Sequence, residues 1–251
     1  MNSARWPVTR SSQENTETET WKYEKPNYSK RNTSSNLCAF VPVALCLFKT
    51  MKIVIATTNQ NKLRELKDLM QGFEVELLSL KDFSEHPAVV EDGESFAENA
   101  LKKARAICAH TGLVTIADDS GLVVDALSGR PGIYSARYAG DSATDGENYT
   151  KLLDELQGIK SADRGARFCC VLAIVSPSGT EKVVAGEYRG VIIDEPRGHN
   201  GFGYDPVFLD PASGLTFAEM GPEQKNKISH RARALHELRK ILPDFLGMAS
   251  Q

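Results

Sequence analysis

The stretch Lys52-Ile53-Val54-Ile55-Ala56-Thr57-Thr58-Asn59-Gln60-Asn61-Lys62 decides the fold. The run from Ile53 to Ala56 is continuously apolar, which is typical of a strand covered on both faces, whereas the segment from Thr57 to Lys62 is polar and turn-like. An amphipathic helix follows and is stopped by Gly72, and Glu74 to Leu80 alternate enough to form a second strand. This strand–loop–helix–strand order predicts a parallel α/β sheet.

The rest of the chain extends this pattern and adds a hairpin. Two β-rich runs, Arg167 to Val175 and Glu181 to Ile193, are joined by Ser176-Pro177-Ser178-Gly179, so the predicted sheet is mixed. Apolar periodicity supplies the remaining elements. These are helices over Ser95–Ala109, Asp145–Leu156 and Ile228–Leu242, a strand over Leu113–Ala117 and a short strand over Leu122–Leu127.

A pair of adjacent carboxylates follows one of the predicted strands. Asp118-Asp119-Ser120-Gly121 is expected at the end of that strand, where it would open a glycine-bounded turn. Such a pair is a plausible Mg²⁺ site, and a divalent ion is what a protein needs to hold a triphosphate. The same residues are also ordinary turn formers. Upstream, Glu91 or Asp92 could reach the same ion, whereas Glu94 and Glu98 fit better as acidic residues near a helix N-terminus.

Three further polar segments could hold a nucleotide. Thr57 to Lys62 lies between a strand and a helix N-terminus, where free N–H groups and the helix dipole favour phosphate, and Lys103 could face a phosphate too. Gly201-Phe202-Gly203-Tyr204-Asp205-Pro206 suits a loop pressed against a planar base, with Phe202 stacking on it. Lys225 and Ser229-His230-Arg231 add hydrogen-bond donors. Each segment also has a plain structural explanation as a cap, a loop or an exposed helix face.

Composition excludes several classes of protein. The chain has 251 residues, 41% of them hydrophobic and 25% charged, which is typical of a soluble globular protein. Its net charge of −3 argues against a nucleic-acid partner. Its five cysteines include no C-x-x-C pair, which argues against a disulfide framework or a zinc site and favours reduced thiols in the cytosol.

The first fifty residues differ from the rest of the chain. Met1 to Asn36 is polar and has no apolar period, so we expect residues 1–50 to be a disordered or artefactual extension and residues 51–251 to form the folded domain. Leu37 to Phe48 is apolar but too short to span a bilayer, so we expect no membrane association. A weak membrane or partner anchor is the alternative for that run.

Six motifs occur in a fixed order between about Met51 and Leu246, and together they resemble the inosine/xanthosine triphosphate pyrophosphatase family. The ordered set is highly specific, although no single member of it is. The motifs are Thr57-Thr58-Asn59-x-x-Lys62, Phe96-x-Glu98-Asn99-Ala100, Asp118-Asp119-Ser120-Gly121, Pro131-Gly132-Ile133-Tyr134-Ser135-Ala136-Arg137-Tyr138, Gly201-Phe202-Gly203-Tyr204-Asp205-Pro206 and Ser229-His230-Arg231.

The resemblance implies an α/β fold with an elongated mixed sheet flanked by helices, and two lobes around a central nucleotide cleft. It implies Mg²⁺-dependent hydrolysis of ITP, dITP or XTP to the monophosphate and pyrophosphate, by a cytoplasmic homodimer. Asp119 would be a metal ligand and the general base, Asp118 its support and Glu91 the second metal carboxylate, with Asp92 still possible. Arg137 would lie near the base or the dimer contact. The phosphates would bind to Thr57, Thr58, Asn59, Gln60, Asn61, Lys62 and Lys103, and the rest of the nucleotide to Ser120, Phe202, Gly203, Tyr204, Asp205, Lys225, His230 and Arg231.

Three other functions stay open from the residues alone. One is a nucleoside triphosphate pyrophosphatase selecting modified pyrimidines or methylated bases, and another is a nucleotide-binding regulator without catalysis. The third is a nucleic-acid-binding protein that uses the basic helix from Arg231 to Arg239, which the acidic net charge disfavours.

Overall fold

The computed structural model describes residues 50–247. They form one six-stranded mixed sheet in the order β2-β1-β3-β4-β5-β6. Strand β1 is parallel to both β2 and β3, and β3, β4, β5 and β6 pair antiparallel in turn. The strands are β1 (Met51–Ile55), β2 (Val75–Ser79), β3 (Val114–Val124), β4 (Gly165–Val175), β5 (Glu181–Ile192) and β6 (Phe208–Leu209), and the helices are α1 (Gln60–Leu69), α2 (Phe96–Thr111), α3 (Asp145–Glu155), α4 (Pro222–Ile228) and α5 (His230–Phe245).

Side-chain alternation along the central strands divides the core between the two faces of the sheet. Ile53 and Ile116 pack with α1 and α5 on one face, whereas Val54 and Ala117 pack with α2 on the other. Farther along β3, Leu122 joins a third cluster that includes aromatic residues around β6. Helices therefore flank both faces, and the predicted α/β fold class is confirmed.

Local capping explains why the predicted helices form where they do. The Ser95 side chain accepts a hydrogen bond from the backbone N–H of Glu98 at the start of α2, and Gly112 ends that helix in the left-handed conformation with φ 65°. Thr144 and Glu147 form a capping box at the start of α3. These helices lie within two residues of their predicted bounds.

The prediction that the adjacent aspartates open a turn is wrong. Strand β3 runs without interruption from Val114 to Val124, and Asp118 to Gly121 pair with β4 in its middle. Gly121 is required for packing rather than for a turn, because a Cβ there would collide with the carbonyl oxygen of Gly132 and the hydroxyl of Ser135. The two predicted short strands are therefore one long strand.

The last predicted helix corresponds to α5, which begins two residues later than predicted, at His230. Ser229 has an extended ψ of 158°, ends α4 and caps α5, where its hydroxyl accepts a hydrogen bond from the N–H of Ala232. Ile228 therefore belongs to α4, and α5 extends past the predicted Leu242 to Phe245. The sequence prediction missed both α4 and the two-residue strand β6.

Within residues 50–247, no helix is long and apolar enough to cross a membrane. The predictions made for residues 1–50 fall, except for Thr50, outside the described part of the chain.

Candidate active site

The adjacent carboxylates of β3 point to opposite faces of the sheet, because side chains alternate along a strand. Asp118 faces α1 and α5, where Lys62 Nζ is 2.7 Å from Oδ1 and Arg231 Nε is 2.8 Å from Oδ2. Asp119 faces α2, where Lys103 Nζ is 3.4 Å from Oδ1. The pair is thus split between two environments, and each carboxylate has its own ion-pair partners.

Asp118 is a buried and fully engaged carboxylate. Besides Lys62 and Arg231, it accepts hydrogen bonds from Ser120 Oγ at 2.7 Å and from the Cys170 thiol at 3.2 Å. Burial by itself would raise the pKa of Asp118, but the positive charges of Arg231 and Lys62 outweigh it and hold the pKa well below its usual range. Asp118 is therefore stabilised in its charged form by the two cations that it holds.

Asp119 is buried but incompletely paired. Its Oδ2 atom has no hydrogen-bond partner among the described residues, although the residue is only 5% exposed. Burial raises the pKa of Asp119 even though Lys103 and Lys62 act in the opposite direction. A buried oxygen without a partner is costly, and such groups concentrate where a ligand binds.

Glu91 is the acidic side chain that shares a cation with Asp119. Lys103 Nζ lies 3.2 Å from Glu91 Oε2, and Arg137 Nη2 donates to the Glu91 carbonyl oxygen at 3.0 Å. Asp92 instead forms an ion pair with Lys102, and both of those side chains are largely exposed. The geometry therefore favours Glu91 over Asp92 as the second carboxylate.

These oxygens fit a hard divalent cation. The carboxylates of Glu91 and Asp119 converge on one cationic group, which also contacts the backbone carbonyl of Asp118 at 2.8 Å, and Mg²⁺ prefers oxygen ligands of this kind. Asp119 Oδ2 is free to bind an ion. Among the described residues, no group of three or more His, Cys, Asp or Glu side chains is gathered to hold a metal. Water and substrate oxygens would have to complete the coordination.

The loop from Thr57 to Lys62 differs from its predicted role in one respect. Asn59 Oδ1 accepts hydrogen bonds from the N–H groups of Asn61 at 2.9 Å and Lys62 at 3.2 Å, so the start of α1 is capped by its own side chain. Thr57, Thr58, Asn59 and Lys62 line the cleft, whereas Gln60 and Asn61 are not among its lining residues. The loop therefore presents side chains to the cleft, and its N–H groups at Asn61 and Lys62 are already used by the cap.

A buried chain of ion pairs joins the two ends of the cleft. Lys225 Nζ lies 2.6 Å from Asp205 Oδ2 and 2.9 Å from Glu65 Oε1, and Glu65 also pairs with Arg231. Burial would raise the pKa of Glu65, but Arg231 and Lys225 lower it, whereas burial keeps the pKa of Asp205 raised despite Lys225. Through Arg231 and Asp118 the chain continues to Lys62.

Glu65 is the member of this chain that sequence reasoning missed. The sequence signal for Glu65 is weak, because it consists of a position three residues after Lys62, on the same side of α1. Arg231, predicted to hold the nucleotide, is only 1% exposed and is not among the residues that line the two cavities of the cleft. Its guanidinium bonds Asp118, Glu65 and Ser120, so it positions the residues around it.

Two adjoining cavities form the cleft and share Asn59, Lys62, Ser120 and Ala136. The larger, of about 470 Å³, is lined by side chains of the loop before α1 and by the carboxylates, and includes Lys103 and Arg137. The smaller, of about 90 Å³, is aromatic and polar. It brings together the predicted base-binding residues, and its lining includes Ser120, Phe168, Phe202, Gly203, Tyr204, Asp205, Lys225 and His230.

A third cavity, of about 570 Å³, lies along the outer side of α5 and β5. Two of its basic side chains are already engaged: Arg233 donates to the carbonyl of Glu187 at 3.1 Å, and Arg239 to that of Leu69 at 2.8 Å. It lacks the Asp119 and Glu91 carboxylates, so the cleft is the better candidate for an active site.

His230 is buried in the smaller cavity as a neutral imidazole. Its ring stacks on Phe168, with centroids 4.7 Å apart, and its Nδ1 atom has no hydrogen-bond partner among the described residues. Burial, with the charges of Arg231 and Lys225, holds the pKa of His230 well below its usual value. A neutral ring can donate or accept a hydrogen bond at a base edge.

The buried His230 should make folding stability depend on pH. The unfolded chain binds a proton near pH 6.5 and the folded chain does not, so the free energy of unfolding should fall as the pH is lowered from 6.5 to 5, by up to about 1.4 kcal/mol per pH unit. Urea unfolding of His230→Asn at several pH values should show this part of the slope removed. His236→Asn, at an exposed position of the same helix, is the matched control. An unchanged slope in His230→Asn would contradict the neutral assignment.

The α/β fold, the carboxylates with their lysines and the aromatic cavity together define a nucleotide-binding type of enzyme site. The chain belongs to the Ham1 family, whose model matches residues 53–241. It is 51% identical over 196 residues to a dITP/XTP pyrophosphatase of Geobacter sulfurreducens, covering 78% of this chain and 96% of that protein. A dITP/XTP pyrophosphatase of Bacillus licheniformis is 50% identical over 191 residues, covering 76% and 97%.

Solved structures agree with this assignment. A HAM1 protein from Coxiella burnetii is 42% identical, with a TM-score of 0.71, covering 78% of this chain and all (100%) of that one. A nucleoside-triphosphatase, dITP/XTP pyrophosphatase, from Mycobacterium abscessus is 48% identical, with a TM-score of 0.63 and coverage of 75% and 98%. The predicted family resemblance is thereby confirmed.

Proposed function

We propose that this chain hydrolyses deaminated purine nucleoside triphosphates, namely ITP, dITP and XTP, to the monophosphate and pyrophosphate. The observation that carries the proposal is one cleft in which a partly unpaired Asp119 with two lysines adjoins an aromatic cavity. The names of the relatives, dITP/XTP pyrophosphatase, support the same substrate class.

The larger cavity would bind the triphosphate. Lys62 and Lys103 line it and would offset the negative charge that grows on the phosphates during hydrolysis. Thr57 and Thr58 would add hydroxyl donors from the loop before α1. Asp118 holds Lys62 in place on the opposite face of the sheet from Asp119.

Asp119 would act on the attacking water. The oxygen of Asp119 that does not hold the ion can accept the proton of a water molecule aligned with the anhydride between the α and β phosphates. Glu91 and Asp119 would hold Mg²⁺, which when bound neutralises phosphate charge and acidifies water. The water oxygen becomes part of the monophosphate, and pyrophosphate leaves.

The smaller cavity would select the base. Hypoxanthine and xanthine carry a carbonyl at C6, where adenine carries an amino group. The Lys225 ammonium lies 5.0 Å from the centroid of the Phe202 ring, so a donor and a stacking surface are close together. A donor facing C6 would donate a hydrogen bond to the carbonyl oxygen of hypoxanthine or xanthine. It would face the amino group of adenine, which is also a donor, and a buried site rejects such a mismatch strongly.

A substrate panel tests this proposal. Pyrophosphate release should be fast with ITP, dITP and XTP, slow with ATP, and abolished by removing Mg²⁺ with a chelator and restored by adding it back. Faster release from a modified pyrimidine or a methylated purine triphosphate would assign the chain to another substrate class. Binding of these nucleotides without release of pyrophosphate would instead indicate a regulator.

We also propose that the protein is a cytoplasmic homodimer, as the resemblance implies. Light scattering on the full chain at micromolar concentration tests the dimer, and a single-chain mass would contradict it. Fractionation of cells tests the location.

A further inference from the structure

The Lys103 ammonium lies among the oxygen atoms that a divalent ion would need. Its Nζ atom is 3.2 Å from Glu91 Oε2, 3.4 Å from Asp119 Oδ1 and 2.8 Å from the carbonyl oxygen of Asp118. The side chains of Lys103 and Asp119 are only 12% and 7% exposed, whereas that of Glu91 is 36% exposed, so the arrangement opens to solvent on the Glu91 side. Asp119 Oδ2, on the same carboxylate, is left without a partner.

A lysine and a divalent ion cannot both be held by these oxygens. Mg²⁺ binds its ligands at about 2.0–2.1 Å in near-octahedral geometry, which leaves no room for an ammonium group at the same lone pairs. The two cations also repel each other strongly at such short range. Ion binding by Glu91 and Asp119 therefore requires Lys103 to leave at least one carboxylate.

The structure offers Lys103 a second place to go. It lines the larger cavity together with Lys62 and the threonines of the phosphate loop, and its four-carbon stem is flexible. A triphosphate in that cavity would provide new negative charge for the released ammonium. Asp119 Oδ2 is buried and not held by Lys103, so the ion would displace no hydrogen-bond partner among the described residues from this oxygen.

We propose that Lys103 is a tethered counter-ion of the carboxylate site: it neutralises Glu91 and Asp119 in the ion-free protein and moves to the triphosphate when a divalent ion arrives. The inference rests on the proposed function, because it takes these carboxylates as the ion site. The protein should therefore bind the ion weakly without nucleotide and tightly with it, since the triphosphate removes the competing lysine. Such coupling is reciprocal, so the ion should strengthen nucleotide binding by the same factor.

Binding of Mn²⁺ or Mg²⁺ alone, without nucleotide, provides the test. Mn²⁺ would be followed by the loss of its free electron paramagnetic resonance signal, and Mg²⁺ by calorimetry. Lys103→Met should bind either ion at least about tenfold more tightly than the parent protein, because the competing charge is gone. Lys103→Gln serves as a second variant, with circular dichroism confirming that both fold. The matched control is Lys102→Met, which removes an adjacent lysine on α2 that pairs with Asp92.

Thermal unfolding gives a second readout. Lys103→Met should melt lower than the parent without ion, because Glu91 and Asp119 lose their cation, and should gain more than the parent when Mg²⁺ is added. Unchanged or weaker ion binding in both Lys103 variants would overturn the inference. A gain in Lys102→Met alone would assign the ion to Asp92 and would overturn it too. Neither result bears on whether the parent protein releases pyrophosphate from ITP, so failure of this inference can be distinguished from failure of the proposed function.

Discussion

Asp119→Asn is expected to lower kcat for pyrophosphate release from ITP by at least about 10³-fold while the protein remains folded. Asparagine keeps the size of the side chain, so the packing of β3 against α2 is retained. It removes both the proton acceptor and a negative charge from the ion site. Steady-state kinetics with ITP and Mg²⁺, together with circular dichroism, measure the two parts of this expectation.

The stability of the same variant carries independent information. Burial raises the pKa of Asp119, which means that the fold holds this charge at a cost. The melting temperature of Asp119→Asn should therefore be equal to or higher than that of the parent, as expected where activity is kept at the expense of stability. A clear loss of stability would indicate that Asp119 has a structural role.

Neighbouring carboxylates supply the controls for this prediction. Glu91→Gln should also lose much of the activity, because Glu91 is the second carboxylate proposed to hold the ion with Asp119. Asp92→Asn should stay near the parent, because Asp92 pairs with Lys102 at the surface. Near-normal hydrolysis of ITP by Asp119→Asn would remove Asp119 from the mechanism, and the reverse ranking of Glu91 and Asp92 would exchange their roles.

Arg231→Ala is expected to destabilise the protein by about 3–5 kcal/mol, since removal of one partner from a buried ion pair leaves the others uncompensated. The guanidinium bonds Asp118 at 2.8 Å and Ser120 at 2.9 Å and also pairs with Glu65, while the side chain is only 1% exposed. Alanine would leave two buried carboxylates with reduced compensation. Arg233→Ala, at an exposed position of the same helix, should cost about 1 kcal/mol or less.

The pH dependence of that loss identifies its cause. Arg231 lowers the pKa of both Asp118 and Glu65 in the folded protein. The stability that it contributes is therefore fully present above the pKa values of these groups in the unfolded chain, near pH 4, and is lost as the pH falls through their pKa values in the folded protein. The difference between Arg231→Ala and the parent should therefore shrink toward pH 3. A difference that is constant with pH would indicate lost packing rather than uncompensated charge.

Nucleotide selection should change in the same variant. Arg231 and Lys225 are linked through Glu65, and their cationic groups lie 5.8 Å and 5.0 Å from the centroid of the Phe202 ring. Loss of Arg231 should therefore displace Lys225 and Phe202, which line the smaller cavity. Both kcat/KM for ITP and the discrimination against ATP should then fall together. Unchanged kinetics in folded protein would show that Arg231 contributes only to stability.

Much of the fold follows from patterns that lie close together in the sequence. The apolar run at Ile53, the cap at Ser95 and the turn at Ser176 to Gly179 each depend on neighbours a few residues away, so they could be predicted from the chain itself. The prediction failed where such local signals mislead. Asp118 to Gly121 has the composition of a turn, but pairing with β4 keeps it extended, and the apolar spacing that predicted a helix from Ile228 did not reveal that Ser229 separates α4 from α5.

The residue types of the candidate site could also be predicted, but their partners could not. The sequence by itself determined that carboxylates, lysines and a glycine–aromatic loop occur in one order typical of a family. Only the tertiary structure decided that Asp118 and Asp119 face opposite sides of the sheet, and that Glu65, through contacts spanning 166 and 160 positions, joins Arg231 to Lys225. The physical reason is that side-chain periodicity is local, whereas burial and ion pairing depend on which elements the folded chain brings together.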